Sequence, residues 1–370
     1  MRFPGFEGEW ARCTLGEIGE PYIGLTYSPA DVVNEGGTIV FRSSNIQNGE
    51  IDYSDIVRVN KKIKYSIITR KDDLLICARN GSPRLIGKNA LLKEADAGQT
   101  FGAFMLVFRS MDNHFVHQLL STKGYYSQVS ENLGARINQI TTSNIKDFEF
   151  YFPPSTAERN IIAQFLDLID ERISIQNKVI EKYESLIKAL SRRLIPDEGD
   201  DYAALETLVH ICKGEQLNGE CLSDNGKYYV MNGGITPSGY YDDYNTLAGT
   251  ISISEGGNSC GFVQFNEMPF WSGGHCYTLL QTSDERIQYK FLYHFLKSKQ
   301  DDIMSLRIGS GLPNIQKKDL GRYPVPILSH DSQTAITRLL DVVCQYIKNE
   351  RAILNDLTVQ KQYVLQAMFI

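Results

Sequence analysis

Apolar side chains between Ser155 and Leu194 recur at intervals that alternate strictly between four and three residues. The repeating positions are all apolar or aromatic except one, and they are Ile162, Leu166, Ile169, Ile173, Gln176, Ile180, Tyr183, Ile187, Leu190 and Leu194. Such a period, sustained over several heptads, predicts a long helix that carries a coiled-coil seam. Two prolines at 153–154 bar a helix upstream, and Ser155 with Glu158 predicts a capping box at the helix start.

The C-terminal segment repeats this pattern. Its repeating positions, each 174 residues after its counterpart, are Ile336, Leu340, Val343, Ile347, Glu350, Leu354, Leu357, Lys361, Val364 and Met368. Each helix would span roughly 50 Å, and each must bury its apolar stripe, for which the other copy is the natural partner. We therefore predict an antiparallel coiled coil, in which the polar positions Gln176 and Glu350 either are tolerated imperfections or lock the register at some cost in stability.

The repeat extends upstream of both helices. Residues 133–140 (LGARINQI) correspond to residues 308–315 (IGSGLPNI), and a proline-containing entry precedes each helix. The chain is thus predicted to be a tandem duplication of one unit. Its predicted parts are a first globular domain at 1–154, a helical region at 155–195, an acidic linker at 196–201, a second globular domain at 202–328 and a second helical region at 329–370.

The fold class predicted from these patterns is α+β, with a mixed, strand-rich globular domain before each long helix. Short β-branched or aromatic runs between glycine-rich turns predict strands at Thr38–Phe41, Leu74–Cys77, Met105–Phe108, Thr250–Ser254 and Cys276–Leu280. Single helices are predicted late in each domain, at His114–Ser121 and Tyr289–Ser298.

Composition changes this picture little. The chain has 370 residues, of which 42% are hydrophobic and 22% charged, and a net charge of −6. These values are typical of a folded protein, and no apolar run is long enough for a membrane span. The N-terminus lacks the apolar core of a signal peptide, and the seven cysteines form no CxxC pair, so we expect reduced thiols in a cytoplasmic protein.

Catalytic motifs are missing from the sequence. The segment Gly81–Asn89 has one residue too many for a phosphate-binding loop, and Asn89 stands where a magnesium-binding hydroxyl is required. His114 and His117 lack a third metal ligand at a typical spacing. His275 and Cys276 are neighbours on a predicted strand, so they would point to opposite faces. The sequence predicts no catalytic site and no metal site.

Basic residues are concentrated in the first predicted domain, where residues 58–93 carry ten Lys or Arg against two Asp. Such a stretch can contact phosphates, while Arg, Asn and Gln in polar loops can reach base edges. The candidate DNA-binding residues are Arg42, Ser43, Asn45, Lys61, Lys62, Lys64, Arg79, Asn80, Arg84, Lys88, Arg136, Asn138, Gln139, Asn232, Asn258, Ser259, Arg307, Asn314, Lys317 and Lys318.

Taken together, these features resemble the specificity (S) subunits of type I restriction–modification systems. The resemblance covers essentially the whole chain. It is carried by the opening RFPGF…W at 2–10, by LGEI at 15–18, by FPPSTAE at 152–158 running into IAQFLD at 162–167, and more weakly by ITRLLD at 336–341.

The resemblance implies two target recognition domains that each read one half of a split, asymmetric sequence in double-stranded DNA. It also implies helical regions that set the spacing and bind two methyltransferase (modification) subunits, through which restriction subunits join. The partners would use S-adenosylmethionine, ATP and magnesium, whereas this chain would need no cofactor, catalyse nothing and contact no membrane.

Two other classes of function remain open from the residues alone. The 20 Tyr and 17 Phe also suit a duplicated, β-rich protein that binds carbohydrate or peptide. The second alternative is a coiled-coil adaptor protein without DNA specificity. Strong salt dependence of affinity would separate DNA reading from both, because it reports counterion release from nucleic acid.

Overall fold

The structure is a computed structural model that describes residues 2–133, 138–195, 201–309 and 311–369. The chain divides into two compact units. Unit 1 comprises Met1–Lys178 and Ala352–Ile370, and unit 2 comprises Val179–Arg351. No helix within the described ranges combines the length and the apolar character needed to cross a bilayer.

Unit 1 contains two four-stranded sheets, ordered β2-β11-β8-β9 and β10-β4-β7-β3, and the pairs β1-β12 and β5-β6. Its strands are β1 Ala11–Thr14, β2 Gly19–Ile23, β3 Val32–Val33, β4 Thr38–Phe41, β5 Ile46–Gln47, β6 Glu50–Ile51, β7 Val57–Val59, β8 Leu74–Cys77, β9 Asn89–Leu91, β10 Thr100–Phe101, β11 Met105–Ser110 and β12 Glu149–Phe152. Its helices are α1 Leu15–Ile18, α2 Asn113–Leu119, α3 Lys123–Asn132, α4 Thr142–Asp147 and the first part of α5 Thr156–Leu194.

The central strand β8 has a hydrophobic core on each of its two faces. All four of its side chains are buried, and successive side chains point to opposite faces of a sheet. Leu74 and Ile76 join a core with the helices, whereas Leu75 and Cys77 join a second core with residues of the other sheet. The sheet that contains β8 is therefore covered on both faces, and its ends open onto loops.

Unit 2 repeats this arrangement. Its main sheet, β14-β20-β17-β18, has the same strand order as β2-β11-β8-β9 once corresponding strands are matched, and a three-stranded sheet β16-β15-β19 accompanies it. Its strands are β13 Tyr202–Ala204, β14 Val209–Lys213, β15 Tyr228–Met231, β16 Gly239–Tyr241, β17 Thr250–Ser254, β18 Val263–Asn266, β19 Trp271–Ser272, β20 Cys276–Gln281 and β21 Pro324–Pro326. Its helices are α6 Leu205–Leu208, α7 Tyr289–Ser298, α8 Gln300–Ser305, α9 Lys317–Gly321 and the larger part of α10 His330–Met368.

The two long helices match the predicted repeat closely. Both α5 and α10 have 39 residues, and their bounds differ by the 174 residues of the sequence repeat. All seam positions are buried or half-buried. In unit 1, Leu166 of α5 and Leu365 of α10 share one core. In unit 2, Leu190 of α5 and Leu340 of α10 share another.

The predicted capping box at the start of α5 forms only in part. The Ser155 hydroxyl accepts a hydrogen bond from the Glu158 backbone N–H at 3.3 Å. The Glu158 carboxylate, fully buried, instead accepts two hydrogen bonds from the Arg2 guanidinium, at 2.7 and 2.8 Å, and one from the Trp10 indole. Glu158 therefore anchors the N-terminal segment, because an unpaired buried carboxylate would be costly.

The shorter elements follow the prediction less completely. The five predicted strands are present, two of them one or two residues longer, and α7 has the predicted bounds. Helix α2 ends at Leu119 rather than at Ser121. Six helices were not predicted, namely α1, α3, α4, α6, α8 and α9. Of these, α4 is only six residues long and α9 only five, too short for an apolar period to be read.

Candidate nucleic-acid interface

One end of the main sheet in unit 1 carries three adjoining loops. They follow β4, follow β8 and contain residues 138–140. Backbone hydrogen bonds fix their arrangement: Ala78 N–H donates to the Phe104 carbonyl at 2.9 Å, Ile140 N–H to the Ala78 carbonyl at 2.9 Å, and Asn80 N–H to the Asn138 carbonyl at 3.3 Å. Backbone hydrogen bonds thus hold the loop after β8 against Phe104 and residues 138–140.

Unit 2 repeats the same framework with different residues. Glu255 N–H donates to the His275 carbonyl, Ile315 N–H to the Glu255 carbonyl and Gly257 N–H to the Pro313 carbonyl, each at 2.9 Å. Ala78 therefore corresponds to Glu255, Asn80 to Gly257 and Phe104 to His275. We call the two sets of loops loop cluster 1 and loop cluster 2.

Loop cluster 1 presents hydrogen-bond donors. The Arg79 guanidinium lies over the Phe104 ring, 4.9 Å from its centroid. No carboxylate in the described part of the chain pairs with Arg79, whose side chain is exposed. The Asn80 amide donates to the Ser43 hydroxyl at 2.9 Å, and the Asn138 amide donates to the Gly81 carbonyl at 3.0 Å. The free N–H groups of Arg79 can reach an acceptor on a ligand.

Loop cluster 2 surrounds a cavity of about 630 Å³ with a carboxylate in its lining. Glu255 is only 8% exposed. It accepts a hydrogen bond from the Lys213 ammonium at 2.5 Å and lies 3.3 Å from the Nδ1 atom of His275. Four glycines also line the cavity. The equivalent position in unit 1 is Ala78, so only unit 2 has an acidic group here.

Both clusters are poor places for nucleophilic chemistry. Burial raises the pKa of the Cys77 thiol to about 11, and burial likewise raises the pKa of Cys276 to about 11. Burial and then Glu255 raise the pKa of the Tyr277 hydroxyl to about 12. Because the thiolate is the reactive form of cysteine, these raised pKa values disfavour nucleophilic attack by either thiol. The polar groups of the loops are instead suited to hydrogen bonding.

Many of the residues predicted from the sequence lie in the two clusters. Ser43, Arg79, Asn80, Asn138 and Gln139 lie in loop cluster 1. The cavity of loop cluster 2 is lined in part by Asn232, Asn258, Ser259 and Asn314.

The prediction for Asn45 was wrong. Its side chain is completely buried, and its amide donates to the carbonyls of Asp52 and Asp55, at 3.0 and 2.8 Å. It stabilises the loop after β4 and cannot reach a base. Arg42 is partly engaged in the same loop, through an ion pair with Asp55 at 2.8 Å.

The remaining basic candidates are spread over both units. Lys61 pairs with Asp31 at 3.2 Å. Six are exposed, namely Lys62, Lys64, Arg84, Arg307, Lys317 and Lys318, while Lys88 is half-buried. None of Arg307, Lys317 and Lys318 lines the cavity of loop cluster 2. Arg136 lies outside the described residues.

Sequence reasoning missed Phe104, Lys213, Glu255 and His275. Each lies within one residue of the end of a buried or half-buried strand, at a position that the internal repeat equates between the units. Aligning strand ends rather than polar loops would have pointed to them.

A second polar cluster lies in unit 1 between α2, α5 and α10. His117, Asp167 and Asp170 place potential metal ligands within 4.8 Å of one another. Both carboxylates already have partners: Lys361 donates to Asp170 at 2.5 Å, and the Gln118 amide donates to both, at 2.8 and 3.0 Å. The cluster therefore acts as a junction between α2 and the long helices α5 and α10.

The Type I restriction modification DNA specificity domain matches this chain twice, at residues 7–185 and 201–359. The chain belongs to this family. The two matches agree with the internal repeat, and each includes one loop cluster and most of one long helix.

Individual relatives support the assignment. The chain is 39% identical over 139 residues to a type I specificity subunit of Mycoplasma pneumoniae, and the matched stretch covers 37% of each chain. It is 27% identical over 194 residues to the EcoKI specificity subunit of Escherichia coli K12, covering 50% of this chain and 41% of that protein. The matched stretches thus span about two fifths of these relatives.

A crystal structure of a type I restriction–modification S subunit from M. genitalium has the same fold. The TM-score is 0.67 at 21% identity, with 100% of this chain and 97% of that chain covered.

Proposed function

We propose that the chain is the DNA specificity subunit of a type I restriction–modification complex, in which each loop cluster reads one half of a bipartite, asymmetric site. The observation that carries the proposal is the shared backbone framework with different side chains. A framework that holds Arg79 over Phe104 in one copy and Glu255 beside His275 in the other can position two different sets of donors and acceptors. Two half-sites of different sequence require such a difference. The family assignment favours this function over a carbohydrate- or peptide-binding protein and over an adaptor.

The two long helices would form an antiparallel coiled coil that fixes the spacing between the half-sites. Within unit 1, the first part of α5 shares a core with the last part of α10. Within unit 2, the last part of α5 shares a core with the first part of α10. The 3.5-residue period of both seams supports the same arrangement.

Each helix would also dock one methyltransferase subunit. Helix α5 exposes Phe165 and Leu168 away from its seam, and their counterparts in α10, Leu339 and Val342, are exposed as well. Exposed apolar side chains at helical spacing mark interaction surfaces, and their recurrence in both copies supports two equivalent partners. Restriction subunits would join through them.

Methyl transfer and cleavage would belong to the partners, with their S-adenosylmethionine, ATP and magnesium. This chain would supply recognition only, with no cofactor of its own. Exposed lysines and arginines of unit 1, such as Lys62 and Arg84, would contact phosphates and would make binding strongly dependent on salt.

Co-expression with a methyltransferase encoded beside it, followed by genome-wide detection of methyladenine, tests the proposal. We expect one bipartite motif with a fixed gap, lost when this chain is omitted. Methylation without a bipartite motif, or affinity for DNA that does not fall with salt, would contradict it.

A further inference from the structure

A second cavity in unit 2, of about 850 Å³, lies between the recognition domain and the parts of α5 and α10 within that unit. We call it the helix-side cavity. Its lining includes the apolar side chains of Ile187, Ile347, Phe265 and Met268, and Met268 is 60% exposed. Its volume lies within the range of about 300–1,000 Å³ typical of ligand pockets.

Unit 1 has a segment at the corresponding place. There, β4 and β7 are joined by residues 42–56, which include the β5-β6 hairpin. Glu50 of this hairpin accepts hydrogen bonds from the Lys93 ammonium at 2.8 Å and from the Ser174 hydroxyl of α5 at 3.0 Å. A carboxylate thus links the edge of the sheet to the long helix.

Unit 2 lacks this hairpin. The corresponding strands β15 and β16 are joined only by residues 232–238, eight residues fewer. The counterparts of Lys93 and Ser174, each 174 residues later, are Glu267 and Lys348. Both line the helix-side cavity, where they pair directly at 2.6 Å. The internal repeat therefore places the cavity beside the position that an acidic hairpin occupies in the other copy.

The charges on the cavity lining are suited to an acidic occupant. Five basic side chains line it, against three carboxylates. Lys348 and Arg351 have carboxylate partners, at 2.6 and 2.5 Å. Lys188 and Arg192 of α5 are exposed, and among the described residues no carboxylate forms an ion pair with either.

We propose that the helix-side cavity receives an acidic peptide segment of a methyltransferase subunit, which takes the part that the Glu50 hairpin plays in unit 1. The inference rests on the proposed function, because that function supplies the partner. A peptide fits better than DNA, because the apolar residues of the lining need apolar side chains opposite them, which a phosphate backbone does not provide.

Charge reversal tests the electrostatic part of the proposal. The double variant Lys188→Glu with Arg192→Glu should weaken binding of the purified cognate methyltransferase subunit by about tenfold or more, because close interfacial charge pairs contribute this much when desolvated. The matched control is Lys182→Glu with Arg193→Glu, which changes the same charge on exposed positions of α5 outside the cavity lining. Equal affinities for the two variants would overturn the proposal.

Crosslinking identifies the occupant. A photoreactive benzoylphenylalanine at Met268, in the complex with the cognate subunit and DNA, should crosslink to an acidic stretch of that subunit. Crosslinking to DNA would overturn the proposal, as would the absence of a crosslink when the same group at Leu168 reacts with the subunit. A complex that methylates a bipartite motif normally while showing either result would refute this inference alone, whereas a complex with no bipartite motif would refute the proposed function.

Discussion

At the level of single residues, Arg79 is the side chain of loop cluster 1 best placed to read a base. Its guanidinium is oriented by the Phe104 ring and has no carboxylate partner in the described part of the chain. Arginine pairs in a bidentate way with guanine O6 and N7 in the major groove. We therefore expect a guanine in the half-site that unit 1 reads.

Replacing Arg79 by Ala should relax the methylated motif at one guanine in one half-site and leave the other half unchanged. The expected loss of discrimination is about 1–3 kcal/mol, measured by methylome sequencing and by DNA-binding titrations. The control Lys62→Ala should weaken binding to all DNA sequences. It should also reduce the slope of log affinity against log salt concentration by about one. Relaxation of both halves, or of neither, would show that Arg79 does not read a base.

His114 gives unit 1 a pH-dependent contribution to stability. Its ring contacts Asp167 at 2.6 Å and Asp72 at 3.2 Å. The hydrogen bond to Asp167, more than the opposing effect of burial, raises the pKa of His114 above its usual 6.5. A raised histidine pKa stabilises the folded state fully below the unfolded pKa, and this contribution is lost as pH rises through the folded pKa.

The melting temperature should therefore fall as pH rises above about 6.5, and this fall should be smaller in His114→Gln. Two neighbouring groups, His117 and Asp167, titrate at lower pH. Burial chiefly lowers the pKa of His117 to about 4, and hydrogen bonds from His114 and Gln118 lower the pKa of Asp167 in spite of burial. As a control, His294→Gln in unit 2 should leave the fall of the melting temperature with pH unchanged, because burial lowers the pKa of His294. If the melting temperatures of the wild type and of His114→Gln fell equally with pH, His114 would not be the source of the pH dependence.

At the level of secondary-structure elements, the long helices separate a buried face from an exposed one. Leu166 and Leu340 are corresponding seam residues, and both are completely buried. Replacing either by Ala should lower the free energy of unfolding of its own unit by about 2–5 kcal/mol, as measured by chemical denaturation. Leu168, 65% exposed, is the matched control on α5.

Leu168→Glu should leave stability within about 0.5 kcal/mol but reduce binding of the methyltransferase subunit. If it unfolds unit 1, the residue belongs to the core and the proposed docking face is misplaced. If it neither unfolds the unit nor weakens binding, the partner uses another face of the helix.

The helices and central strands could be predicted from sequence because their signals are local. A seam period shows in the spacing of Ile162, Leu166 and Ile169, and the buried strand β8 shows as an uninterrupted apolar run. The loop clusters could be predicted only in part. Asn45 was predicted to contact DNA, but its side-chain amide donates to two backbone carbonyls. Glu255 lies beside Lys213 because β14 and β17 both pair with β20. Such partners depend on tertiary contacts between distant segments.

At the level of the whole molecule, the tandem repeat suggests that the recognised gap is set by helix length. In the proposed antiparallel coiled coil, four residues added after Gln176 lengthen α5 by roughly 6 Å, and a matching insertion after Glu350 in α10 keeps the two helices equal in length. This corresponds to about two base pairs at 3.4 Å each. Methylome sequencing should then show the same two half-sites separated by a longer gap.

The matched control is a four-residue insertion in the predicted linker at 196–201. It adds the same length of chain without extending either helix, so the gap should stay as it is. An unchanged gap in the helix variant, with both half-sites still methylated, would mean that the helices do not act as the ruler. A lengthened gap in the linker variant would instead assign the spacing to the connection between the two copies.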